Sequence, residues 1–545
     1  MTKGLSIDLG TSGFRAQAID ENGSVIATAI STRHPLPGAN VMDHLHFCLE
    51  LGYDLTHQLI LNAVHKVIRA LPIDLKEVGR VAICGNPIQL SLFQKMEIRD
   101  LAFAGKRGLK KLGITEAVKR PARIIRASDI GLELSDKALL FVPPAVRHEI
   151  GADALAMMYI TGLLDRDEVA IVTDYGTNAE MAIKVGGEIL TGSAAAGPAM
   201  EGQHVSCGML AQPGAIADIS SVNGVWNLRV LDSDLISRSS SSVRIEDGVV
   251  VVEGDASCLP RGITGTGVIA AIAEGIDSGL VGPPKINTPD GRLHLSQNIY
   301  LTEHDIKEAG KAIGAIRAGH MTLAEESGVK LTELKTVYMT GASGTYVDAL
   351  KARKVGLIPN SAGRIIQAGN TSLCLATEIV RRPELLDMLQ KVADTITAKH
   401  IMFADSKVFK NAYVCELAYW DEGMPGHMMS SMLALYGIQS FPEPHPSPEV
   451  INIAKRDIIE IGPMGLTVVD SVGTDLSLDF PSGCLGEKCR KCLSECPEGA
   501  VRVGTVGEVE LLTIRSDLCN GTACRRCESE CPNGLLFESI KVKAV

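Results

Sequence analysis

Eight of the 14 cysteines in this 545-residue chain form two copies of one pattern near its carboxyl end. Both copies read C-x4-C-x2-C-x3-C-P, and each cysteine recurs 35 positions later (519 − 484 = 35). The copies consist of Cys484, Cys489, Cys492, Cys496 and Pro497, and of Cys519, Cys524, Cys527, Cys531 and Pro532. Thiolates at such short spacings surround an iron–sulfur cluster, and the fourth cysteine of each copy can ligate the other cluster. The pattern predicts two clusters and a role in electron transfer.

On this arrangement the fourth cysteines exchange places between the two copies. One cluster is held by Cys484, Cys489, Cys492 and Cys531, and the other by Cys519, Cys524, Cys527 and Cys496. The first gap of four residues is wider than in bacterial ferredoxins and also occurs in plant-type [2Fe–2S] sites. The fourth cysteine lies close to the other three in sequence, which favours two [4Fe–4S] clusters. The wider first gap keeps [2Fe–2S] clusters as an alternative.

Structural zinc and disulfides are the alternatives for these cysteines. Zinc sites often pair two C-x2-C elements across a longer gap, without the x3-C-P ending. A disulfide framework belongs to exported proteins, and the first residues lead into a strand pattern instead of an export signal. Iron–sulfur ligation explains the spacing best.

Composition restricts the class of protein and of partner. The length predicts several domains, and 46% hydrophobic with 21% charged residues is typical of globular proteins. A net charge of −11 and an aromatic content of 4% argue against nucleic acid as the main partner. The longest apolar stretch, around residues 155–164, is shorter than the ~20 residues of a spanning helix. We expect a cytoplasmic protein without membrane insertion.

The amino-terminal sequence predicts a hairpin that binds phosphate. Strand patterns cover residues 5–9, 14–19 and 25–30, and Asn22-Gly23 predicts a tight turn between the last two. The bend between the first two reads Gly10-Thr11-Ser12-Gly13 and follows Asp8. Glycines let backbone N–H groups approach an anion, and hydroxyls add donors. Asp8 is suited to the water shell of Mg²⁺.

Two later segments extend this pattern. Residues 170–174 form an apolar strand pattern that ends at Asp174, and Tyr175-Gly176-Thr177-Asn178 repeats the Asp-x-Gly-Thr turn. A third strand pattern, residues 337–340, precedes Gly341-Ala342-Ser343-Gly344 and a helix that includes residues 346–352. Small residues in this last turn let an adenine ring lie against the backbone. The two hairpins are predicted to bind a triphosphate from opposite sides.

These three elements, in this order, resemble the actin/Hsp70/sugar-kinase ATPase superfamily with its phosphate-1, phosphate-2 and adenosine motifs. The resemblance implies an α/β fold: a two-lobed actin/Hsp70-like (ribonuclease H-like) ATPase core, followed by a small α+β ferredoxin-like iron–sulfur domain. The implied domains are residues 1–168, 169–475 and 476–545. An apolar helix at residues 268–276 and a helix at 306–317 before Gly319 agree with this fold.

The core also resembles a narrower family, the reductive activators of corrinoid-dependent methyltransferases. The matching segments are Asp174 to Glu180, Ala194 to Gly202 and Ala315 to Gly319. Cluster motifs placed after the ATPase are similar to the branch that serves methylamines. The resemblance implies ATP-driven reduction of inactive Co(II) to Co(I) in corrinoid proteins of methylamine methyltransferase systems, with a low-potential electron donor as second partner.

The resemblance also implies residue roles and cofactors. Asp8 and Asp174 position Mg²⁺ and the attacking water, and ATP is the nucleotide. The remaining nucleotide contacts are assigned to Gly10, Thr11, Ser12, Gly176, Thr177, Asn178, Gly341, Ser343 and Gly344. Alternatives are an activator of 2-hydroxyacyl-CoA dehydratases, an Hsp70- or actin-like binding protein with a carboxyl-terminal zinc module, and a small-molecule kinase with an accessory ferredoxin.

Overall fold

Strand pairing between distant segments organises the chain. The structure, a computed structural model, describes residues 3–102, 113–114, 118–146, 150–202, 204–255, 258–396, 398–453, 456–478, 484, 488–496, 498–506, 509–522 and 524–542. Pro497 lies outside the described residues. The described strands are β1 (Lys3–Leu9), β2 (Phe14–Ile19), β3 (Val25–Ser31), β4 (Val78–Gly85), β5 (Arg123–Arg126), β6 (Leu139–Val142), β7 (Ala170–Asp174), β8 (Asn178–Val185), β9 (Glu188–Ala195), β10 (Ala215–Val222), β11 (Val225–Leu231), β12 (Ser237–Arg244), β13 (Val250–Val252), β14 (Gly262–Ile263), β15 (Val281–Gly282), β16 (Lys285–Ile286), β17 (Leu293–His294), β18 (Tyr300–Leu301), β19 (Thr336–Thr340), β20 (Arg364–Gly369), β21 (Ala398–Ile401), β22 (Glu449–Asn452), β23 (Leu466–Val469), β24 (Asp475–Leu478), β25 (Val501–Val506), β26 (Val509–Arg515) and β27 (Lys541–Val542).

The described α-helices alternate with these strands, as α/β folds require. They are α1 (Val41–Leu51), α2 (Tyr53–Arg69), α3 (Pro87–Phe93), α4 (Arg99–Ala102), α5 (Ala127–Ile130), α6 (Ala152–Ile160), α7 (Gly265–Asp277), α8 (Glu303–Ser327), α9 (Gly341–Tyr346), α10 (Ala349–Lys354), α11 (Thr371–Arg381), α12 (Leu385–Thr395), α13 (Lys407–Trp420), α14 (Gly426–Leu435), α15 (Lys491–Ser494) and α16 (Arg526–Ser529). Among these described helices, none combines the length and the apolar character that crossing a bilayer would need.

The first compact unit comprises residues 1–153, 375–393 and 461–545. Its main sheet has the order β23-β3-β2-β1-β4-β6-β5. The predicted strands at 5–9, 14–19 and 25–30 are confirmed as β1, β2 and β3, which pair antiparallel. The turn at Gly23 (φ +87°) forms where the Asp20 carboxylate accepts hydrogen bonds from the N–H groups of Asn22 and Ser24, both at 2.8 Å.

The second compact unit comprises residues 154–374 and 394–460. Its main sheet has the order β21-β9-β8-β7-β19-β20-β22. In both units an antiparallel three-stranded meander is flanked by parallel strands, β4 beside β1 and β19 beside β7. The outer parallel strand is β23 beside β3 in one unit and β21 beside β9 in the other. Six of the seven strands therefore repeat one topology, in agreement with the predicted two-lobed α/β core. The seventh strand differs, because β5 is antiparallel to β6 whereas β22 is parallel to β20.

The long helix α8 is the centre of the second unit's core. Its first turn is held by a capping box between Thr302 and Asp305. Gly310 and Gly314 let α13 approach closely. A Cβ at Gly310 would lie 2.6 Å from Trp420, and one at Gly314 would lie 2.8 Å from Glu416. The helix continues through Gly319 to Ser327, beyond the predicted end at residue 317. The apolar helix predicted at 268–276 is confirmed as α7.

The cysteine-rich segment forms a small α+β module within the first unit. Its sheet has the order β25-β26-β24-β27, all antiparallel, and carries the short helices α15 and α16. Each compact unit consists of stretches that are separate in the sequence. Strand β23, late in the chain, pairs with β3 near its start, and the boundary between the units at residues 374 and 375 falls within α11. The contiguous boundaries 1–168, 169–475 and 476–545 remain predictions.

Candidate functional site

The hairpin between β1 and β2 places the first predicted phosphate loop in the first unit. Leu9 pairs with Phe14, so residues 10–13 form the bend. The bend folds tightly: a Cβ at Gly10 would lie 2.7 Å from the Gly13 carbonyl, and one at Gly13 would lie 2.6 Å from the Ser31 carbonyl. Glycine is therefore required at both positions for this close backbone approach.

Asp8 lies at the end of β1, beneath this bend. The residue is 4% exposed, and its Oδ2 is 3.5 Å from Arg15 Nη1 on the paired strand. Thr11 accepts a hydrogen bond at its Oγ1 from Asn86 Nδ2, at 3.2 Å. Asn86 was not predicted as a site residue. The Asn-Pro pair after a strand is nevertheless a sequence signal, because asparagine caps a helix well and proline suits its first turn.

The second unit contains the other predicted phosphate loop, between β7 and β8. Asp174 ends β7 and pairs with Glu180, and the bend consists of Tyr175, Gly176 and Thr177. Asn178, predicted in the turn, is the first residue of β8 and pairs with Ala195. Thr177 is 3% exposed, and its carbonyl accepts a 2.9 Å hydrogen bond from the Gly197 N–H.

The predicted adenosine turn lies beside this second loop. Because β19 runs parallel to β7, Thr340 pairs with Asp174, and its Oγ1 donates to the Asp174 carboxylate at 3.2 Å. Gly341 has φ +79°, and a Cβ there would lie 2.5 Å from Asp174 Oδ1. The structure thus brings Asp174 and Gly341 together. Sequence reasoning missed Thr340, although it ends the strand that precedes the turn.

The helix after this turn differs from the prediction of one helix that includes residues 346–352. Helix α9 begins at Gly341, directly after β19, and α10 begins only at Ala349. Asp348 caps α10 through its side chain, which accepts from two backbone N–H groups. Ser343 donates to the Met200 carbonyl at 2.9 Å, and the Gly344 carbonyl accepts from Gln367 Nε2 at 2.7 Å. The cap at Asp348 is the local signal that divides the two helices.

The cysteine module repeats its backbone as well as its sequence. Arg490 precedes α15 with φ +51°, and Arg525 precedes α16 with φ +44°, again 35 residues apart (525 − 490 = 35). Positive φ is uncommon for arginine, so its recurrence at equivalent positions shows that both copies fold alike. After each fourth cysteine, the N–H of Gly499 or Gly534 donates back to that cysteine's carbonyl.

Thiols of the two motifs raise one another's pKa values. Burial raises the pKa of Cys492, and the neighbouring thiols of Cys531, Cys484 and Cys489 raise it further. Burial likewise raises the pKa of Cys519 to about 12, and the thiols of Cys527, Cys496 and Cys524 add to this effect. Burial also raises the pKa of Cys527 to about 11, and the thiols of Cys496, Cys524 and Cys492 raise it further. Thiols of both motifs therefore lie near one another, and the exchange of the fourth cysteines between two ligand sets stays a prediction.

Backbone donors also reach the sulfur atoms. Cys496 Sγ accepts from the Ala500 N–H at 3.3 Å, and Cys519 Sγ accepts from the Gly521 N–H at 3.4 Å. Such N–H···S contacts accompany cluster ligation and tune cluster potential. Across the described part of the chain, no three His, Cys, Asp or Glu side chains converge as one metal ion would require. The donors of the module are eight cysteine thiols in two repeated motifs, with backbone N–H groups at the sulfur atoms of Cys496 and Cys519. Their chemistry fits iron–sulfur clusters.

Two family models and two named relatives match large parts of this chain. Residues 3–166 match the model described as the RACo middle region, and residues 168–430 match the C-terminal domain of RACo, the ASKHA domain. A relative from Methanosarcina barkeri, named "[Co(II) methylated amine-specific corrinoid protein] reductase", is 47% identical over 92% of each chain. The "Corrinoid activation enzyme RamQ" of Eubacterium limosum is 24% identical and covers 77% of this chain and 71% of that one.

A solved structure supports the fold. The protein titled "Reductive activator for corrinoid,iron-sulfur protein" aligns with a TM-score of 0.62 at 22% identity. The alignment covers 78% of this chain and 68% of that chain. At this identity the likeness establishes the shared architecture, which is the two-unit ATPase fold predicted from the three glycine-containing turns.

Proposed function

We propose, on the premise that the chain belongs to the family of reductive activators of corrinoid proteins, that it uses ATP to return inactive Co(II) to Co(I) in corrinoid proteins of methylamine methyltransferase systems. One observation carries the proposal: a single chain combines the ATPase fold with eight cysteines in two copies of one motif. The methylamine context rests on the name of the M. barkeri relative. Family membership favours this function over the dehydratase activator and the zinc-module binding protein.

The energetic reason for joining an ATPase to electron carriers is the low potential of the Co(II)/Co(I) couple. Moving one electron uphill by 100 mV costs about 2.3 kcal/mol. The balanced reaction transfers one electron from an external low-potential donor to Co(II), giving Co(I) and the oxidised donor. Hydrolysis of ATP with water to ADP and phosphate accompanies the transfer and supplies the free energy difference.

The nucleotide residues have distinct proposed roles. Asp8 and Asp174 position Mg²⁺ and the attacking water, which is the main protein contribution to phosphoryl transfer. The bends that follow them supply backbone N–H groups and hydroxyls to phosphate oxygens. The proposed phosphate contacts are Gly10, Thr11, Ser12, Gly176, Thr177 and Asn178, and the proposed adenosine contacts are Gly341, Ser343 and Gly344.

The eight thiols are proposed to hold two [4Fe–4S] clusters. Cys484, Cys489, Cys492 and Cys531 form one ligand set. Cys519, Cys524, Cys527 and Cys496 form the other. When bound, the clusters supply one-electron transfer. The protein's own contribution is to bury the thiols and to direct the N–H groups of Ala500 and Gly521 at sulfur. Oxygen-sensitive cysteine ligation also suits a reduced cytoplasm, where we place the protein.

Anaerobic reduction of a Co(II) corrinoid protein tests the function directly. The full-length protein, reconstituted with iron and sulfide, is mixed with a methylamine-specific corrinoid protein and a low-potential reductant, and Co(I) is followed by its absorbance. We expect Co(I) to form with ATP, and its formation to be strongly suppressed without nucleotide or with a non-hydrolysable analogue. Equal rates in all three conditions would contradict ATP coupling. Reduction of a methanol- or thiol-specific corrinoid protein at the same rate would contradict the methylamine assignment.

A further inference from the structure

Two buried histidines and a buried glutamine form a cluster in the first unit, beside the β1–β2 hairpin. His34 Nε2 is 3.0 Å from Gln89 Oε1, and Gln89 Nε2 is 2.8 Å from His44 Nδ1. The imidazole rings stack with their centroids 3.8 Å apart and their planes 14° apart. All three side chains are buried, with His44 and Gln89 fully inaccessible. We call these three residues the His–Gln–His cluster.

The hydrogen bonds of the cluster have one consistent direction. The Leu36 N–H donates to His34 Nδ1 at 3.1 Å, so the ring hydrogen of His34 is on Nε2 and points to Gln89 Oε1. The Gln89 amide then donates to His44 Nδ1, which places the His44 hydrogen on Nε2. Burial lowers the pKa of His34 to about 3 and that of His44 well below its ordinary value. Both rings are therefore neutral, and the order of donors and acceptors is fixed.

A backbone route joins the cluster to the first phosphate loop. The Phe14 N–H, immediately after the loop, donates to Ser31 Oγ at 2.8 Å, and Ser31 Oγ donates to the Arg33 carbonyl at 2.9 Å. The next residue is His34, whose ring meets the edge of Phe14 at 5.2 Å and 86°. Gly13 packs closely against the Ser31 carbonyl, so a displacement of this loop residue would also displace Ser31.

A second route joins the loop to the same cluster through α3. Asn86 donates from Nδ2 to Thr11 Oγ1 at 3.2 Å. The same side chain caps α3, because its Oδ1 accepts from the Gln89 N–H at 2.9 Å. Thr11 is thus two hydrogen bonds from Gln89. The two routes start at opposite ends of the loop and converge on the His–Gln–His cluster.

The His–Gln–His cluster is also connected, through the segment of Gly38, to Cys519 of the cysteine module. His44 Nε2 is buried and has no partner within hydrogen-bond distance among the described residues. The preceding residue, Asp43, accepts a hydrogen bond at Oδ2 from the Ala39 N–H at 2.9 Å, which connects helix α1 to the segment of Gly38. The Gly38 N–H donates to the Cys519 carbonyl at 2.9 Å. The contact is tight: a Cβ at Gly38 would lie 2.3 Å from Asp43 Cβ, and one at Gly521 would lie 3.1 Å from the Gly38 Cα. Close packing of this kind transmits a displacement instead of absorbing it.

We propose that His34, Gln89 and His44 are positioning residues that couple nucleotide binding at the first phosphate loop to the cluster ligand Cys519. The inference rests on the proposed function and deepens it. Nucleotide bound at Thr11 and its neighbours displaces the residues of both hydrogen-bonded routes. The His–Gln–His cluster then moves as one packed group, and Gly38 changes its contact with Cys519. Altered hydrogen bonding or solvent access around a cluster changes its potential. None of the three is among the proposed phosphate contacts or cluster ligands.

The test compares two buried glutamines of the same unit. Gln89→Met removes both side-chain hydrogen bonds of the cluster with little change in volume. Gln17→Met is the matched control, because Gln17 is 3% exposed and has similar bonds to Thr28 and Thr377 outside the two routes. Each reconstituted full-length variant is titrated potentiometrically and examined by electron paramagnetic resonance, with and without saturating Mg–ATP. Hydrogen exchange of residues 33–43 and 519–521 is measured in the same two states.

We expect wild type and Gln17→Met to show a nucleotide-dependent change in cluster potential and in exchange at both segments. In Gln89→Met the change should disappear at 519–521, with iron content and ATP affinity retained. The ATP-dependent acceleration of Co(II) reduction should fall about fivefold or more, the lower range of ordinary coupling between two sites. A purely structural role predicts equal losses in both glutamine variants.

Asn86→Ser provides a second variant if Gln89→Met does not fold. Serine retains the helix cap but lacks the amide that donates to Thr11. We expect reduced coupling at saturating ATP. The inference would be overturned if either folded variant showed nucleotide-dependent changes in cluster potential and in exchange at 519–521 as large as in wild type. It would also be overturned if nucleotide did not change the potential of the iron–sulfur clusters in the wild-type protein. Failure of wild type to reduce Co(II) with ATP would instead reject the proposed function.

Discussion

Asp8 is a buried carboxylate whose contact with Arg15 is longer than an ordinary hydrogen bond. Its Oδ2 lies 3.5 Å from Arg15 Nη1, so the pair is an ion pair without the short, directed bond of a structural bridge. The arrangement neutralises part of the charge and places the carboxylate under the bend of a loop rich in potential phosphate donors. This environment suits a group that orients the water shell of Mg²⁺.

Asp8→Asn should therefore reduce ATP hydrolysis by about 10²-fold or more, the usual effect of removing one charge-stabilising group from a reacting centre. Phosphate release at saturating Mg–ATP measures the change, and iron content shows that the module is intact. Asp54→Asn is the control, because Asp54 is an exposed carboxylate of the same unit whose side chain is 93% accessible. Hydrolysis at the wild-type rate by Asp8→Asn would remove Asp8 from the catalytic assignment.

Glu416 and Arg317 form the buried ion pair that joins α13 to α8. Glu416 is fully inaccessible, and its Oε1 accepts from Arg317 Nε at 2.8 Å. Arg317 also lies over the Phe441 ring, 4.6 Å from its centroid. Burial raises the pKa of Glu416, and the nearby arginine partly offsets this increase. Removing the arginine leaves a carboxyl group in an apolar core.

Arg317→Met should destabilise the second unit by about 3–5 kcal/mol, the ordinary cost of breaking a buried pair on one side. The double variant Arg317→Met/Glu416→Gln should recover much of this loss. The sign of the pH dependence follows from the raised pKa: the folded state of Arg317→Met binds a proton that the unfolded state releases. Stability is therefore present below the unfolded pKa of Glu416 and falls as pH rises toward the folded value.

Urea unfolding at several pH values, followed by tryptophan fluorescence, measures both effects, since Trp420 lies in the same helix as Glu416. The midpoint of the Arg317→Met variant should fall more steeply with rising pH than that of wild type. A midpoint equal to wild type across the pH range would show that the pair contributes little to the stability of the unit.

The turn between β19 and α9 links a strand, a helix and the second phosphate loop. Gly341 combines φ +79° with a close approach to the Asp174 carboxylate. Gly341→Ala should strain the backbone and displace Asp174, lowering ATP hydrolysis at least tenfold and stability by about 1–3 kcal/mol. Gly279→Ala is the matched control, because Gly279 has φ +72° and a Cβ added there would meet no atom within 4 Å.

The two glycine variants separate strain from site disruption. Both should lose stability in thermal unfolding, but only Gly341→Ala should lose nucleotide affinity, measured by calorimetric titration with ATP. Equal affinity in the two variants would show that the Gly341 turn does not support nucleotide binding through Asp174.

Elements with strong local signals were predictable, and elements fixed by distant packing were not. The strands β1 to β3 follow from alternating apolar residues and the Asn22-Gly23 turn. The break between α9 and α10 follows from Asp348, a cap that the prediction of one continuous helix ignored. Asn86 could not be assigned to the loop from sequence alone, because its contact with Thr11 depends on β4 lying beside β1. Helix α8 continues past Gly319, where a Cβ would lie 2.8 Å from Met181 and 2.9 Å from Phe403, and this close approach of distant residues has no local sequence signal.

At the scale of the whole molecule, duplication occurs twice. The two ATPase sheets share one arrangement over six of their seven strands. The two cysteine motifs share one backbone path, including a positive φ at Arg490 and Arg525. Sequence spacing reveals the second duplication directly. The first is visible only through its two Asp-x-Gly-Thr turns, because the strands themselves differ in length and sequence. The proposed exchange of the fourth cysteines would make the two motifs of the module interdependent.

This exchange predicts which cysteine variants share a spectrum. Cys484→Ser and Cys531→Ser should perturb the same cluster although they lie in different motifs, because the thiols of Cys531 and Cys484 both act on Cys492. Cys496→Ser should instead match Cys519→Ser. Each single variant should lose up to about half of the iron, since each cysteine ligates one of two clusters.

Cys415→Ser, a buried thiol of the second unit, is the control and should retain all of the iron. Electron paramagnetic resonance of the dithionite-reduced variants distinguishes the pairs. Matching spectra within a motif, Cys484→Ser with Cys496→Ser, would show that each motif ligates its own cluster and that the fourth cysteines do not exchange.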